Sequence, residues 1–255
     1  MELKNGRTIC VSSCKGGVGK TLTVLNLAGI YHLLDKKVLL IDLDLYSGAI
    51  ALSLNVEVKN DVYDLIYDLK NSNYESFDNY ITSFNEHIDV LPCPINIKRL
   101  FDSKYEYIEH ILTYAKTKYD VILIDTTHYL NELNLLLHDI CDLTVLIITN
   151  DLFDLKNTKN MLNVFREIKK TNYRIILNEA VDISKRYFTH YDIKKIINNN
   201  IDYTIENNFY IKDIDKYILN NEIVILNKEV QKKYREGFEK LTLIAKGLLN
   251  KEGGK

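Results

Sequence analysis

The chain is poor in the features that mark several classes of protein. Its four cysteines, Cys10, Cys14, Cys93 and Cys141, are scattered with no C-x-x-C pair. Neither a disulfide framework nor a zinc site is indicated, and reduced thiols are expected. No apolar stretch approaches the length of a membrane span. The polar start of the sequence (Glu2, Lys4, Asn5, Arg7) lacks the apolar segment of a signal peptide. A cytoplasmic protein is the expectation. Net charge is only −2, so no global field attracts nucleic acid or anionic membrane, although local patches are compatible with it. Glycine is missing between residues 49 and 236, and six of the ten glycines fall at or before Gly48. They are concentrated where backbone has reason to approach a ligand closely.

What is present is an alternation of two patterns. Short β-rich runs occur at residues 8–12, 37–42, 88–91, 120–125, 143–149, 173–178 and 201–205. Helical patterns lie between them at 21–34, 62–69, 104–118, 131–138, 155–170 and 191–198. Several of the runs are almost wholly apolar, as strands buried on both faces are. The order predicts a three-layer α/β fold, a mostly parallel twisted sheet with helices on both faces. One domain over residues 1–255 is expected, with a terminal helix at about 229–249 and a frayed tail at 250–255. That helix carries Val230, Tyr234, Phe238, Leu241, Ile244 and Leu248 as an apolar stripe, with Lys232, Lys233, Arg235 and Lys240 around it. Two readings fit the stripe: packing on the sheet, or an amphipathic helix lying on a membrane surface.

Ligands of such sheets sit beyond the carboxyl ends of the strands, where three segments meet. The first is Ser13-Cys14-Lys15-Gly16-Gly17-Val18-Gly19-Lys20-Thr21, between an apolar run and a helical pattern opening at Leu22. Glycines let successive N–H groups close on phosphate oxygens while the new helix points its positive end at them. Lys20 then reaches the terminal phosphates and Thr21 offers its hydroxyl to Mg²⁺. The second segment is Leu39-Leu40-Ile41-Asp42-Leu43-Asp44, an apolar strand ending in two acids with separable roles; by themselves they are also what a strand entering a loop looks like. The third is Val121-Ile122-Leu123-Ile124-Asp125, whose acid suits a carboxylate holding Mg²⁺ through its water shell. His128, just beyond, is read either as a surface histidine or as a sensor of this loop. Asn178 closes the run Arg174-Ile175-Ile176-Leu177; it is either a turn residue or an amide suited to a base.

The loop departs from G-x-x-x-x-G-K-[ST], because Cys14 stands where the first glycine belongs. The remaining K-G-G-x-G-K-T, Lys15 to Thr21, resembles the deviant Walker A loop of the MinD/ParA superfamily of P-loop ATPases. The resemblance implies a P-loop NTPase fold, binding of ATP with Mg²⁺, and an ATP-dependent homodimer. Gly16, Gly17, Val18, Gly19, Lys20, Thr21 and Leu22 would hold the phosphates, and Asn178 the adenine. Thr21, Asp42 and Asp125 would form the metal environment. Lys15 would reach across the dimer to the partner's phosphates, and Asp44 would position the attacking water. Lys15, Lys20 and Asp44 are thus the expected catalytic residues of a slow, partner-stimulated ATPase. Many members have proline where Thr127 stands, which implies a more flexible switch loop here.

The resemblance runs from about residue 8 to 249. The stretch from Asp42 to Leu52 is similar to D-x-D-L-x-x-G-x-x-A-L of the CpaE/TadZ-type ATPases of type IV (Tad) pilus assembly. Leu91-Pro92-Cys93-Pro94 and Asp125-Thr126-Thr127-His128 follow the same group. This branch implies a protein partner in a pilus or secretion apparatus and a cytoplasmic location, peripheral at the inner membrane face. Such pilus proteins commonly carry a receiver-like domain ahead of the loop, whereas here the loop starts almost at once. The alternatives are a ParA-like partition ATPase that binds DNA, which the near-neutral charge disfavours, a MinD- or flagellar-type positioning ATPase on membrane, and a non-hydrolysing nucleotide-gated scaffold. The dense C-terminal tyrosine cluster of bacterial tyrosine autokinases is missing, since Tyr234 is the last tyrosine.

Overall fold

A computed structural model describes residues 5–94, 105–181, 187–211 and 214–250. From the start, the chain forms β1 (Arg7–Ser12), α1 (Lys20–Leu33), β2 (Val38–Leu43), α2 (Ile50–Leu54), α3 (Val62–Lys70), β3 (Thr82–Ser83) and β4 (Ile88–Leu91). Next come α4 (Glu106–Lys118), β5 (Val121–Thr126), α5 (Glu132–Ile140), β6 (Leu143–Ile148), α6 (Leu152–Glu167) and β7 (Tyr173–Asn178). The last elements are α7 (His190–Ile197), β8 (Tyr203–Ile205), α8 (Asp215–Leu219), α9 (Lys228–Lys233) and α10 (Arg235–Leu249). Every residue of β2, β5 and β6 is buried. Their Val, Ile and Leu side chains face both ways because both faces are covered.

The eight strands form one sheet in the order β3-β4-β2-β5-β1-β6-β7-β8, parallel except for β3, which runs antiparallel to β4. Alternate residues feed two sides. Ile9, Val11, Leu40, Leu123 and Val145 pack with Leu27, Tyr31, Leu241 and Leu248 under α1 and α10. Leu39, Ile41, Ile122 and Ile124 pack with Leu65, Ile111 and Leu137 of α3, α4 and α5. Leu146, Ile148 and Leu177 meet Leu162, Phe165 and Ile193 of α6 and α7. Each such side chain contributes roughly 1.5–3 kcal/mol on leaving water, so the three layers follow from the strand pattern. The register sets Asp42 directly beside Asp125, and neighbours in a parallel ladder project to the same face.

The expected alternation is present, and the departures are local. Strand β3, with two residues, carries no hydrophobic pattern and is specified only by pairing with β4. Helix α6 begins at Leu152 instead of 155, because Asp151 caps it by accepting the Phe153 and Asp154 N–H groups at 3.0 Å each. The strand expected over 201–205 is confined to β8. The terminal helix expected over 229–249 is two helices, since Tyr234 (φ −112°, ψ 37°) leaves helical geometry between α9 and α10. Its stripe is packed inward: Val230, Leu241, Ile244 and Leu248 are buried, and the Tyr31 hydroxyl on α1 donates to the Ala245 carbonyl at 2.9 Å. Of the two readings of the stripe, the packed one is what the fold uses, and that apolar face is not available to a bilayer. Residue 104 of the helix expected over 104–118 and residues 251–255 of the tail lie outside the described residues. Among the described residues no helix is long and apolar enough to cross a membrane.

Candidate functional site

The glycine-rich loop turns sharply from β1 into α1 through Gly17 (φ 75°) and Gly19 (φ 83°). At Gly19 a side chain is excluded twice over. Its φ is left-handed, and a Cβ would stand 2.7 Å from Asn178 Nδ2 and 2.9 Å from Val181 Cγ2. Gly19 is also the N-cap of α1 and offers no side-chain oxygen. The first-turn N–H groups, at Lys20, Thr21 and Leu22, therefore keep the helix's positive end open for an anion.

The acids gather around this helix start. Lys20 Nζ lies 2.7 Å from Asp125 Oδ1 and 3.9 Å from Asp44 Oδ2. The Thr21 hydroxyl donates to Asp125 Oδ2 at 2.6 Å. Asp42 is fully buried; it accepts the Ile50 N–H at 3.1 Å and the Asp44 N–H at 3.2 Å. The sheet register and the helix start thus bring Lys20, Thr21, Asp42, Asp44 and Asp125 into one cluster. Burial, reinforced by Asp125, pushes the Asp42 carboxyl up to about 7. Burial also raises Asp125, against the opposing pull of the Lys20 ammonium and the Thr21 hydroxyl. Two buried carboxyls facing one ammonium are an under-neutralised set, and oxygen donors of this kind suit a hard divalent cation such as Mg²⁺.

Lys15 pairs within its own chain. Its Nζ lies 2.9 Å from Asp151 Oδ2 of its own chain, and this contact holds Asp151 below the ordinary carboxylate range. Asp151 follows β6 beyond Thr149 and Asn150, so an acid directly ending an apolar run does not announce it. Val18 is buried, and its carbonyl accepts from Asn178 Nδ2 at 3.0 Å, while Asn178 Oδ1 accepts the Ala180 N–H at 3.1 Å. Asn178 therefore ties the end of β7 to the phosphate loop. Lys15, Gly16, Gly17, Asn178, Glu179 and Tyr210 help to line a cavity of ≈ 340 Å³ at this edge. An apolar recess of ≈ 200 Å³ beside it is lined in part by Leu22, Val181, Phe209, Tyr210 and Ile211. Glu179, Val181 and Tyr210 had no motif to announce them.

The loop after β5 is pinned as well. Asn134 Nδ2 donates to the Thr127 carbonyl at 2.9 Å, and the Thr126 hydroxyl donates to the Val11 carbonyl at 3.0 Å. The His128 ring sits against the phosphate loop, with Nδ1 3.7 Å from where a Gly16 Cβ would be. At the Asp42 end, Gly48 fits closely: a Cβ there would come within 2.1 Å of Cys93 Sγ and 2.8 Å of Asp42 Oδ2.

Comparison with known proteins agrees with this geometry. A family model described as an AAA domain matches residues 6–183. The chain is 29% identical over 171 residues to the sporulation initiation inhibitor protein Soj of Bacillus subtilis, covering 65% of this chain and 67% of that protein. It is 28% identical over 195 residues to the chromosome-partitioning ATPase Soj of Treponema pallidum, covering 74% and 73%. Its fold is shared with the septum site-determining protein MinD of Pyrococcus horikoshii, solved in complex with Mg-ADP. The TM-score is 0.75 at 22% identity, over 95% of this chain and 96% of that one. By its matched domain, its fold and its deviant phosphate loop, the chain belongs to the MinD/ParA family of P-loop ATPases.

Proposed function

We propose that this protein is a Mg-ATP-dependent switch that dimerises around nucleotide and resets by slow hydrolysis. The observation that carries the reading is the cluster of Lys20, Thr21, Asp42, Asp44 and Asp125 at an uncapped helix start. The amides of Gly16–Thr21 and the Lys20 ammonium hold the phosphates. With ATP bound, Lys20 would exchange Asp125 Oδ1 for a phosphate oxygen, leaving Thr21 as the side-chain donor to Asp125. Thr21 and Asp125, with Asp42 behind them, would hold Mg²⁺, which would supply positive charge against the phosphates. Asp44, partly exposed beside Lys20, orients water toward the γ-phosphate. Asn178 and the apolar recess receive the base.

Lys15 exchanges Asp151 for the partner subunit's phosphates as two copies close face to face. Tyr46, Leu52, Tyr129, Leu130, Leu152 and Phe153 support this closure. All are exposed, and all follow the carboxyl ends of β2, β5 and β6 on the nucleotide edge. A second copy would remove that apolar surface from water. Nucleotide state then sets affinity for a protein partner. The stretch from Asp42 to Leu52 supports work in type IV (Tad) pilus or secretion assembly, in the cytoplasm at the inner membrane face. A second reading, DNA partition, is favoured by the similarity to the chromosome-partitioning ATPase Soj of Treponema pallidum.

Light scattering after size exclusion with Mg²⁺ and a slowly hydrolysed ATP analogue tests the switch. The wild type is expected to dimerise. Lys15→Ala is expected to bind nucleotide and stay monomeric, and a variant that dimerises like the wild type refutes the proposed role. ATP-dependent retention on non-specific DNA at low salt distinguishes partition from the pilus reading.

A further inference from the structure

At the far end of α1 from the phosphate loop, His32 in the last helical turn meets Glu86 and His87 in the β3–β4 turn. The Nδ1 atoms of the two histidines are 3.1 Å apart. Glu86 Oε1 is 3.8 Å from His87 Nδ1. One ligand atom from each of the three residues lies within 4.8 Å of the others. The backbone carrying them is fixed. Asn85 Oδ1 accepts the N–H groups of both His87 and Ile88 at 2.9 Å, and the Val38 N–H donates to the His87 carbonyl at 2.7 Å. The His32 carbonyl accepts the Asp35 N–H at 3.0 Å, closing the end of α1.

Two facing Nδ1 atoms admit two explanations. One ring donates an N–H to the other, or both lone pairs converge on a shared cation. Zn–N bonds of 2.0–2.1 Å in tetrahedral array put nitrogen ligands about 3.3–3.4 Å apart, close to the separation here. Glu86 compensates charge on either a shared proton or a cation, but only a cation also uses its oxygen as a third ligand. The last turn of α1 adds the negative end of a helix dipole.

We propose that His32, Glu86 and His87 form a divalent transition-metal site. Two imidazoles and one carboxylate suit Zn²⁺, Co²⁺ or Ni²⁺ and not Mg²⁺, which prefers oxygen donors. Glu86 is exposed, so water completes the coordination. Twelve helical residues separate His32 from Lys20, roughly 18 Å, which makes the site distinct from the nucleotide's metal. A bound ion would tie the helix that begins at the phosphate loop to the edge hairpin of the sheet.

The test uses full-length protein stripped with chelator and then titrated with Co²⁺, without nucleotide. Wild type is expected to bind one equivalent, with visible ligand-field bands and no near-ultraviolet thiolate band that would report Cys14 or Cys93. His32→Ala and His87→Ala should each lose at least about a hundredfold in affinity, and Glu86→Gln a smaller factor. All three should keep ATP binding, which shows that they are folded. Zn²⁺ should raise the melting temperature of wild type and leave His32→Ala/His87→Ala unchanged. Equal Co²⁺ affinity in wild type and that double variant, or a Zn²⁺ shift in both, overturns the site.

Discussion

The electrostatics of the site can be tested at Lys20. Its ammonium lies 2.7 Å from Asp125 Oδ1, with the two side chains 9% and 1% exposed. Lys20→Met keeps most of the aliphatic stem and removes the charge, leaving Asp125 buried with Thr21 as its remaining side-chain donor. Breaking a buried pair on one side costs about 3–5 kcal/mol. For a chain of this size that corresponds to a fall of about 6–20 °C in melting temperature. The cost arises from uncompensated charge, so removing the second charge should recover it. Lys20→Met/Asp125→Asn is expected to be at least as stable as Lys20→Met alone. The pH dependence has a definite sign. Asp125 titrates above its ordinary value, and without Lys20 it titrates higher still. The folded state then holds a proton that the unfolded chain releases near pH 4, so stability falls as pH rises from there to the folded value and is level above it. Urea denaturation in chelator at pH 5 and pH 8 reads both effects. Additive losses in the double variant, with a Lys20→Met deficit equal at the two pH values, would refute the reasoning.

Two further outcomes follow from the same cluster. Asp44→Ala should accumulate an ATP-bound dimer with turnover reduced at least about tenfold, measured by phosphate release; unchanged turnover removes Asp44 from its proposed role. Gly48→Ala should cost about 1–3 kcal/mol by overpacking, because its Cβ would meet Cys93 Sγ and Asp42 Oδ2. Cys93→Ala should restore part of that loss in thermal denaturation, and a fully stable Gly48→Ala would show that the contact is not tight.

Much of the site was legible along the chain because its parts are local. A run of four apolar residues is buried on both faces, and an acid that ends it emerges at the carboxyl edge. Asp42 and Asp125 were found in this way. Asp151 stands two residues further out, beyond Thr149 and Asn150, and begins a helix, so the same rule does not single it out. The sequence leaves Asn178 between a turn residue and a base contact, and only the structure shows its amide on the Val18 carbonyl. The amphipathic stripe of 229–249 could not choose between bilayer and protein, because both present an apolar surface; the Tyr31 to Ala245 hydrogen bond identifies protein.

The sequence by itself determined the layered α/β architecture, the phosphate loop and the acids beneath it, since periodicity and glycine placement act over a few residues. Only the tertiary structure decided which charges meet. Sheet register placed Asp42 beside Asp125, and the loop after β6 brought Asp151 to Lys15. The turn after β3 carried Glu86 and His87 to His32, more than fifty residues earlier in the chain. Coulomb attraction and metal ligation depend on separation in space, and no local pattern encodes that distance.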